Sequence, residues 1–328
     1  MNVARTVLAT AAGPITTVSA LAERALPPRL SILIYHRVLR EPDPLFPGEA
    51  DAARFDAQMR LVRRHFHVLT LGQALRRRDA GTLPARALAI TFDDGYADNA
   101  EVALPILQRH GLPATFFVAT GFLDGGRMFN DSVIECLRRT SLQQVDLHDL
   151  GLQAMPVSTP AERRAAIDAL LPRVKYLGLA ERERFLDRLH LMTGKPLLPA
   201  DLMMRSAQVV ELHRAGMEIG GHTIHHPILR LLPESDAATE ISGGRERLQA
   251  LTDAPVQVFA YPNGQPGQDY GDREVGIVRR LGFLGAVSTR RGTATAASDR
   301  YQLPRFTPWD IAPERWLARL AVSRFRST

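Results

Sequence analysis

Apolar and polar positions follow two rhythms along this chain. Short unbroken apolar runs recur between longer stretches in which apolar residues return every three or four positions. The runs read as buried strands and the periodic stretches as amphipathic helices. Predicted strands cover Ser31–Val38, His67–Thr70, Leu88–Phe92, Ala114–Thr120, Met217–Ile219, Val256–Tyr261, Phe283–Val287 and Tyr301–Phe306. Between them Phe55, Met59, Val62 and Phe66 mark a helix near 53–66, followed by helices over Leu71–Arg78, Asp98–His110, Ser206–Ala215, Pro233–Leu251 and Asp272–Leu281. Gly111 stands where a left-handed helix cap is expected, and Pro105 predicts a kink or a late start in the helix before it. Strand and helix in alternation predict parallel strands with crossover helices. From about 128 to 204 the rhythm changes to helices at Asp131–Thr140, Pro160–Leu177 and Ala180–Met192, rich in Arg and Glu. This stretch reads as a helical insertion whose charge runs are solvated faces. The fold class is therefore α/β, repeated βα units in one chain favouring a barrel over an open sheet.

The 328 residues, 45% hydrophobic and 23% charged, can build a sizeable core. Net charge is +6, and of 41 basic residues only Lys175 and Lys195 are lysine. No nucleic-acid motif accompanies that charge, so an anionic surface or polymer is the expected partner class and nucleic acid is not. Cys136 is alone, which excludes a disulfide framework and a cysteine zinc cluster. Residues 1–30 are expected to be an N-terminal lead, a surface helix or a disordered stretch: the uncharged run Thr6–Ala22 is too short and too polar to span a membrane. A basic amphipathic helix over 313–328, with Trp316, Leu317, Leu320 and Val322 among Arg315, Arg319, Arg324 and Arg326, is expected to pack on the domain, with peripheral membrane contact as the alternative. Location is expected to be cytoplasmic or peripheral to the inner membrane rather than secreted.

The chemistry starts where the apolar run Leu88–Phe92 ends in Asp93-Asp94-Gly95. Alternation sends adjacent strand residues to opposite faces, so the two carboxylates diverge unless the chain has already opened into a loop. Two acids at the mouth of a buried strand need a cation. His222 and His226, in Gly220-Gly221-His222-Thr223-Ile224-His225-His226-Pro227, provide two imidazoles in a loop that Pro227 keeps from being helical. His225 is expected to point elsewhere. Asp94 with His222 and His226 makes the three-ligand set of a catalytic zinc site, leaving Asp93 to accept the proton of a water. Strand ends meet at one mouth of a (β/α) barrel, so ligands this far apart in sequence can converge.

Thr91-Phe92-Asp93-Asp94-Gly95 together with His222-Thr223-Ile224-His225-His226 resembles the polysaccharide deacetylase family, carbohydrate esterase family 4 or NodB homology domain, in both motifs and in order. The resemblance covers about 83–328, leaving the insertion unmatched, and the barrel as a whole is taken as 31–328. The stretch through Tyr35-His36-Arg37-Val38 is similar to members that deacetylate exopolysaccharides such as poly-N-acetylglucosamine. The resemblance implies a distorted (β/α)7 barrel and a divalent metal, zinc foremost, on Asp94, His222 and His226, with Asp93 as general base. A third motif falls on Tyr261-Pro262-Asn263, implying an oxyanion-stabilising N–H near Asn263. The chain departs from the family in three places, one of them the aromatic residue expected after the proline, which falls on Asn263. The family's base-orienting arginine falls on Ala260, so Arg37 or Arg305 must supply that charge. No histidine follows His226, so His36 becomes the candidate acid for the leaving amine. Asn130-Asp131 and Trp309-Asp310 are weighed equally as groove residues and as capping or packing residues.

Three readings follow. The first is a metal-dependent deacetylase of N-acetylated amino sugars in a polysaccharide or glycan precursor. The second is a deformylase or deacetylase of a lipid-linked glycan at the membrane. The third is a saccharide-binding barrel without turnover, suggested by Ala260.

Overall fold

The computed structural model describes residues 28–308 and 312–324. Most of the N-terminal lead, Trp309-Asp310 and the last four residues of the basic tail lie outside them. The strands are β1 Leu30–Tyr35, β2 Val38–Leu39, β3 Ala50–Asp51, β4 His67–Val68, β5 Ala87–Phe92 and β6 Thr115–Val118, then β7 Gln144–Val145, β8 Met155–Pro156, β9 Glu218–Gly221, β10 Val258–Ala260, β11 Gly285–Arg291 and β12 Leu303–Arg305. Seven of them run parallel in the order β1-β5-β6-β9-β10-β11-β12, with β4 added beside the first half of β5. A parallel bridge between Leu33 and Phe306 brings the last strand back to the first. The result is a nearly closed, distorted (β/α)7 barrel.

β5 is buried along its whole length, which is why its sequence is apolar on both faces. Leu88, Ile90 and Phe92 pack outward with the crossover helices, and Phe92 stacks on Phe116 at 4.6 Å. Ala87 and Ala89 face the barrel interior with Ile32, Phe117, Val258, Ala260 and Val287. Thr91 and Asp93 continue that inward column, so Asp93 arrives at the C-terminal mouth of the barrel.

Differences from the sequence reading have local causes. The helix expected over Asp98–His110 opens as a π-helical turn, Asn99–Ala103, and becomes α-helical at Leu104–His110. Pro105 has no N–H to give, so it is tolerated only in a first turn, where none is needed. Gly111 caps that helix at φ 61°. β11 starts two residues later than expected and runs on to Arg291, because Gly282 turns at φ 76° and Phe283 goes into the core against Phe259 instead of joining the ladder.

The insertion forms helices Phe129–Arg139, Pro160–Lys175 and Leu179–Met192, with β7 and β8 as a small antiparallel pair. It has its own apolar core, to which Leu45 contributes from the loop after β2. Its charges are only partly the solvated faces expected. Arg138 pairs with Asp43 at 2.6 Å and Lys175 with the buried Asp269 at 3.3 Å, tying the insertion to the barrel.

The final helix, Pro313–Ser323, buries Trp316, Leu317 and Leu320 against the domain. Most of the apolar side that a membrane-surface helix would offer is therefore spent on internal packing, Val322 staying exposed. Among the described residues no helix is long and apolar enough to cross a membrane.

Candidate active site

Asp94 does not continue the strand. Its φ of 78° is left-handed, and Gly95 follows at φ 91°, where an added Cβ would meet Val118 at 2.9 Å. This reversal is what lets adjacent carboxylates serve one mouth. Thr223, His226 and Asn263 also have positive φ, so four of the eight such non-glycine residues among those described surround this cleft. Strain of that kind costs on the order of 1–3 kcal/mol per residue and persists only where neighbours hold it.

Those neighbours are identifiable for the histidine loop. Glu240, buried on the helix Glu234–Thr252, accepts from the backbone N–H of Ile224 at 3.0 Å and of His225 at 2.8 Å. Its other oxygen lies 2.7 Å from His225 Nδ1, so His225 does point away. Thr223 Oγ1 accepts from His226 N–H at 3.1 Å, and Thr120 and Gly121 donate to the carbonyls of Thr223 and Ile224. Sequence reasoning missed Glu240; its one signal is an acid falling on the buried face of a helix. Glu240→Ala is expected to weaken metal binding by about 10–100-fold, as loss of an outer support does. Competition with a chromogenic chelator measures it.

His222 Nε2 lies 3.2 Å and His226 Nε2 3.4 Å from Asp94 Oδ1. Donors about 2.0–2.1 Å from a tetrahedral cation sit about 3.3–3.4 Å apart, so these spacings match the edges of a zinc-sized polyhedron. All three ligand atoms lie within 4.8 Å of one another. His222 Nδ1 stands 2.8 Å from the Ala260 carbonyl, which fixes the proton on that nitrogen and turns Nε2 toward Asp94. Burial would raise the Asp94 pKa, but the neighbouring His222 and His226 rings hold it far below the carboxylate range. Burial dominates at His226 and pushes it down to about 3, keeping the ring neutral as a ligand must be. The residues therefore fit a divalent cation, with a nitrogen-rich set that suits zinc over magnesium.

Asp93 takes a different partner. Arg305, from β12, donates Nη1 to Asp93 Oδ1 at 2.7 Å and Nη2 to Oδ2 at 2.6 Å. Its Nε donates to the Ser288 carbonyl at 2.8 Å and its Nη1 also reaches Thr91 Oγ1 at 3.2 Å. The pair is closed to water, Asp93 being 2% and Arg305 1% exposed. Burial pushes the Asp93 pKa up, but the Arg305 charge and fork outweigh it and the carboxyl lies below its ordinary value. Arg37 is bound elsewhere: its Nε reaches Asp98 at 2.8 Å and its guanidinium lies over the Tyr96 ring. Of the two arginines named from the sequence, Arg305 is the one that pairs with Asp93. Ala260 faces the same barrel interior, so the guanidinium missing from that strand arrives from β12.

His36, exposed at the end of β1, borders the same cleft as Asp93, Asp94, His222 and His226. Asn263 lines it too, and its side-chain nitrogen is buried without a partner. Tyr261 does not reach it: the ring is buried and stacked on Tyr270 at 3.8 Å. Pro262 contributes to the turn, its carbonyl accepting from Gly264 N–H. Asn130 lines the cleft and donates to the Tyr96 hydroxyl, whereas Asp131 lies behind it, burial lifting its pKa to about 7. The cleft has a volume of about 460 Å³, with Met128, Phe129, Leu171 and Pro172 forming an apolar wall.

The sequence profile described as polysaccharide deacetylase matches residues 80–169 and 189–285. A poly-beta-1,6-N-acetyl-D-glucosamine N-deacetylase of Staphylococcus aureus is 24% identical over 174 residues, 51% of this chain and 59% of that protein. Thus the chain spans little more than half the length of the curated relatives it matches. Two solved structures share the fold. The Streptococcus pyogenes deacetylase PplD in complex with acetate superposes with a TM-score of 0.60 at 21% identity, over 89% of this chain and 98% of that one. IcaB from Ammonifex degensii superposes with a TM-score of 0.56 at 20% identity, over 90% of this chain and 97% of that one.

Proposed function

We propose, from the premise that the chain belongs to the polysaccharide deacetylase family, that it hydrolyses the N-acetyl groups of amino sugars in a polysaccharide of the poly-N-acetylglucosamine kind. The observation that carries this reading is one buried mouth holding both a nitrogen-rich cation site and, beside it, an ionised carboxylate gripped by Arg305. The S. aureus relatives, whose name specifies poly-beta-1,6-N-acetyl-D-glucosamine, support the choice of polymer.

Asp94, His222 and His226 would hold a divalent cation, which would supply Lewis acidity at the amide carbonyl and a more nucleophilic water. Asp93 is the general base. Each of its oxygens spends one lone pair on Arg305 and keeps another for the water's proton. Arg305 holds the carboxylate ionised and fixed in orientation. Asn263 lines the same cleft, and in this reading its unpartnered side-chain N–H donates to the acyl oxygen beside the backbone N–H expected from the sequence. His36, which follows β1 beside the end of β5, borders the same cleft and protonates the departing amine in this reading. The non-catalytic reading rested on the arginine missing at Ala260, and Arg305 removes that motive.

The test is release of acetate from poly-beta-1,6-N-acetylglucosamine and from N-acetylated oligosaccharides by zinc-loaded protein. No acetate from any of them would end the deacetylase reading. Dialysis against a chelator is expected to remove one bound metal per chain and the activity with it, and Zn2+ to restore both where Mg2+ does not. Metal content by mass spectrometry is read alongside the rate.

A further inference from the structure

The cleft has a cover. The helix Pro160–Lys175 is fastened at both ends to opposite rims of the barrel. Near its start, Arg164 donates to the Leu45 carbonyl and lies over the Phe46 ring at 4.6 Å, on the loop after β2 beside β1. At its end, Lys175 pairs with Asp269 at 3.3 Å, and the Tyr176 hydroxyl meets Asp269 and Gln268 on the loop after β10. In the strand order three strands separate β1 from β10 one way and two the other, so the two fastenings are diametrically placed. The eleven helical steps from Arg164 to Lys175 rise about 16 Å, enough to cross the mouth. At the Lys175 end, Leu171, Pro172, Lys175 and Tyr176 line the same cleft as Asp93 and Asp94.

From this arrangement we infer that the helix roofs the catalytic cleft and makes this chain act on the ends of glycan chains and on short oligosaccharides, not on units inside a long polymer. The inference rests on the deacetylase reading above. An interior unit must enter the site with both neighbours attached, so it needs a groove open along its length. Here the helix bridges the mouth from rim to rim; the cleft beneath it, about 460 Å³, adjoins a second hollow of about 500 Å³ that shares His36 and Thr289 with it and reaches Arg164, so a glycan must enter under the bridge end first. The bridge is held by an ion pair whose acid is 1% exposed, and breaking it would leave that carboxylate buried without its cation. The family profile leaves out residues 170–188, which contain all four cleft-facing residues of the roof.

The experiment uses the zinc-loaded full chain and a short, end-labelled, fully N-acetylated oligosaccharide, with each deacetylated position mapped by tandem mass spectrometry. Wild type is expected to modify a terminal unit, and acetate from long polymer to scale with the number of chain ends. Lys175→Ala, which unfastens the roof, and Leu171→Ala, which widens the space beneath it and leaves the ion pair intact, are each expected to raise the interior-to-terminal ratio by about tenfold. Zinc stoichiometry and thermal unfolding report whether each variant is folded. If wild type modifies interior units as fast as terminal ones, the roof does not select and the inference is overturned. So it is if both folded variants keep the wild-type pattern. A total lack of acetate from every saccharide instead removes the deacetylase reading beneath it.

Discussion

Asp93→Asn is expected to lower kcat for N-acetylated saccharides by about 10²–10⁴-fold, the usual worth of a general base. Asparagine keeps the shape of the side chain and can still accept from Arg305, but it cannot take a proton. Because Asp93 is no metal ligand, bound zinc is expected to stay at one per chain. Substrate KM is expected to change little, because Asp93 acts on the water rather than on the sugar. The variant also strands the buried Arg305 charge, so the assay must be run well below its unfolding temperature. Acetate release at the wild-type rate would remove Asp93 from the mechanism. Loss of activity together with loss of zinc would show instead that the two carboxylates are not divided between base and ligand.

The convergence of Asp94 with His222 and His226 was legible because each lies in a motif with a physical reason: an apolar strand breaking into two acids and a glycine, and two histidines in a loop that cannot be helical. The barrel was legible from the same alternation. What the sequence left open is tertiary. Arg37 and Arg305 both stand at strand ends, and nothing in their neighbours along the chain says which one turns inward. Arg37 is captured by Asp98 on the adjoining helical turn, whereas Arg305 lies on the strand that closes the barrel, facing the column that carries Asp93. Glu240 was hidden in a polar helix because its partners are backbone N–H groups, which carry no sequence signature. The roof was hidden for a related reason. Arg138, Arg164 and Lys175 look like solvated charges until the fold brings Asp43, Phe46 and Asp269 to them. Tyr261 illustrates the converse: the motif points at the turn, but the turn's tyrosine is needed for the core stack with Tyr270.

Arg305→Met is expected to be the most destabilising single change at the site, by about 3–5 kcal/mol, because it leaves the Asp93 carboxylate buried with no counter-charge. Methionine fills much of the volume, so the loss is electrostatic rather than a cavity. Asp93→Asn in the same chain removes the stranded charge, so the double variant is expected to be more stable than Arg305→Met alone, with a coupling of about 2–3 kcal/mol by denaturant unfolding. Activity separates from stability at this point. The double variant regains its fold but has no base, and its kcat stays at the level of Asp93→Asn. Arg305→Lys keeps the charge but loses the two-pronged grip. It is therefore expected to retain most of the stability yet lose about tenfold or more in kcat with KM little changed, as befits a residue that acts by orienting another. If stability losses of the two single variants simply add, the fork between Arg305 and Asp93 carries no coupling and cannot be what holds the base.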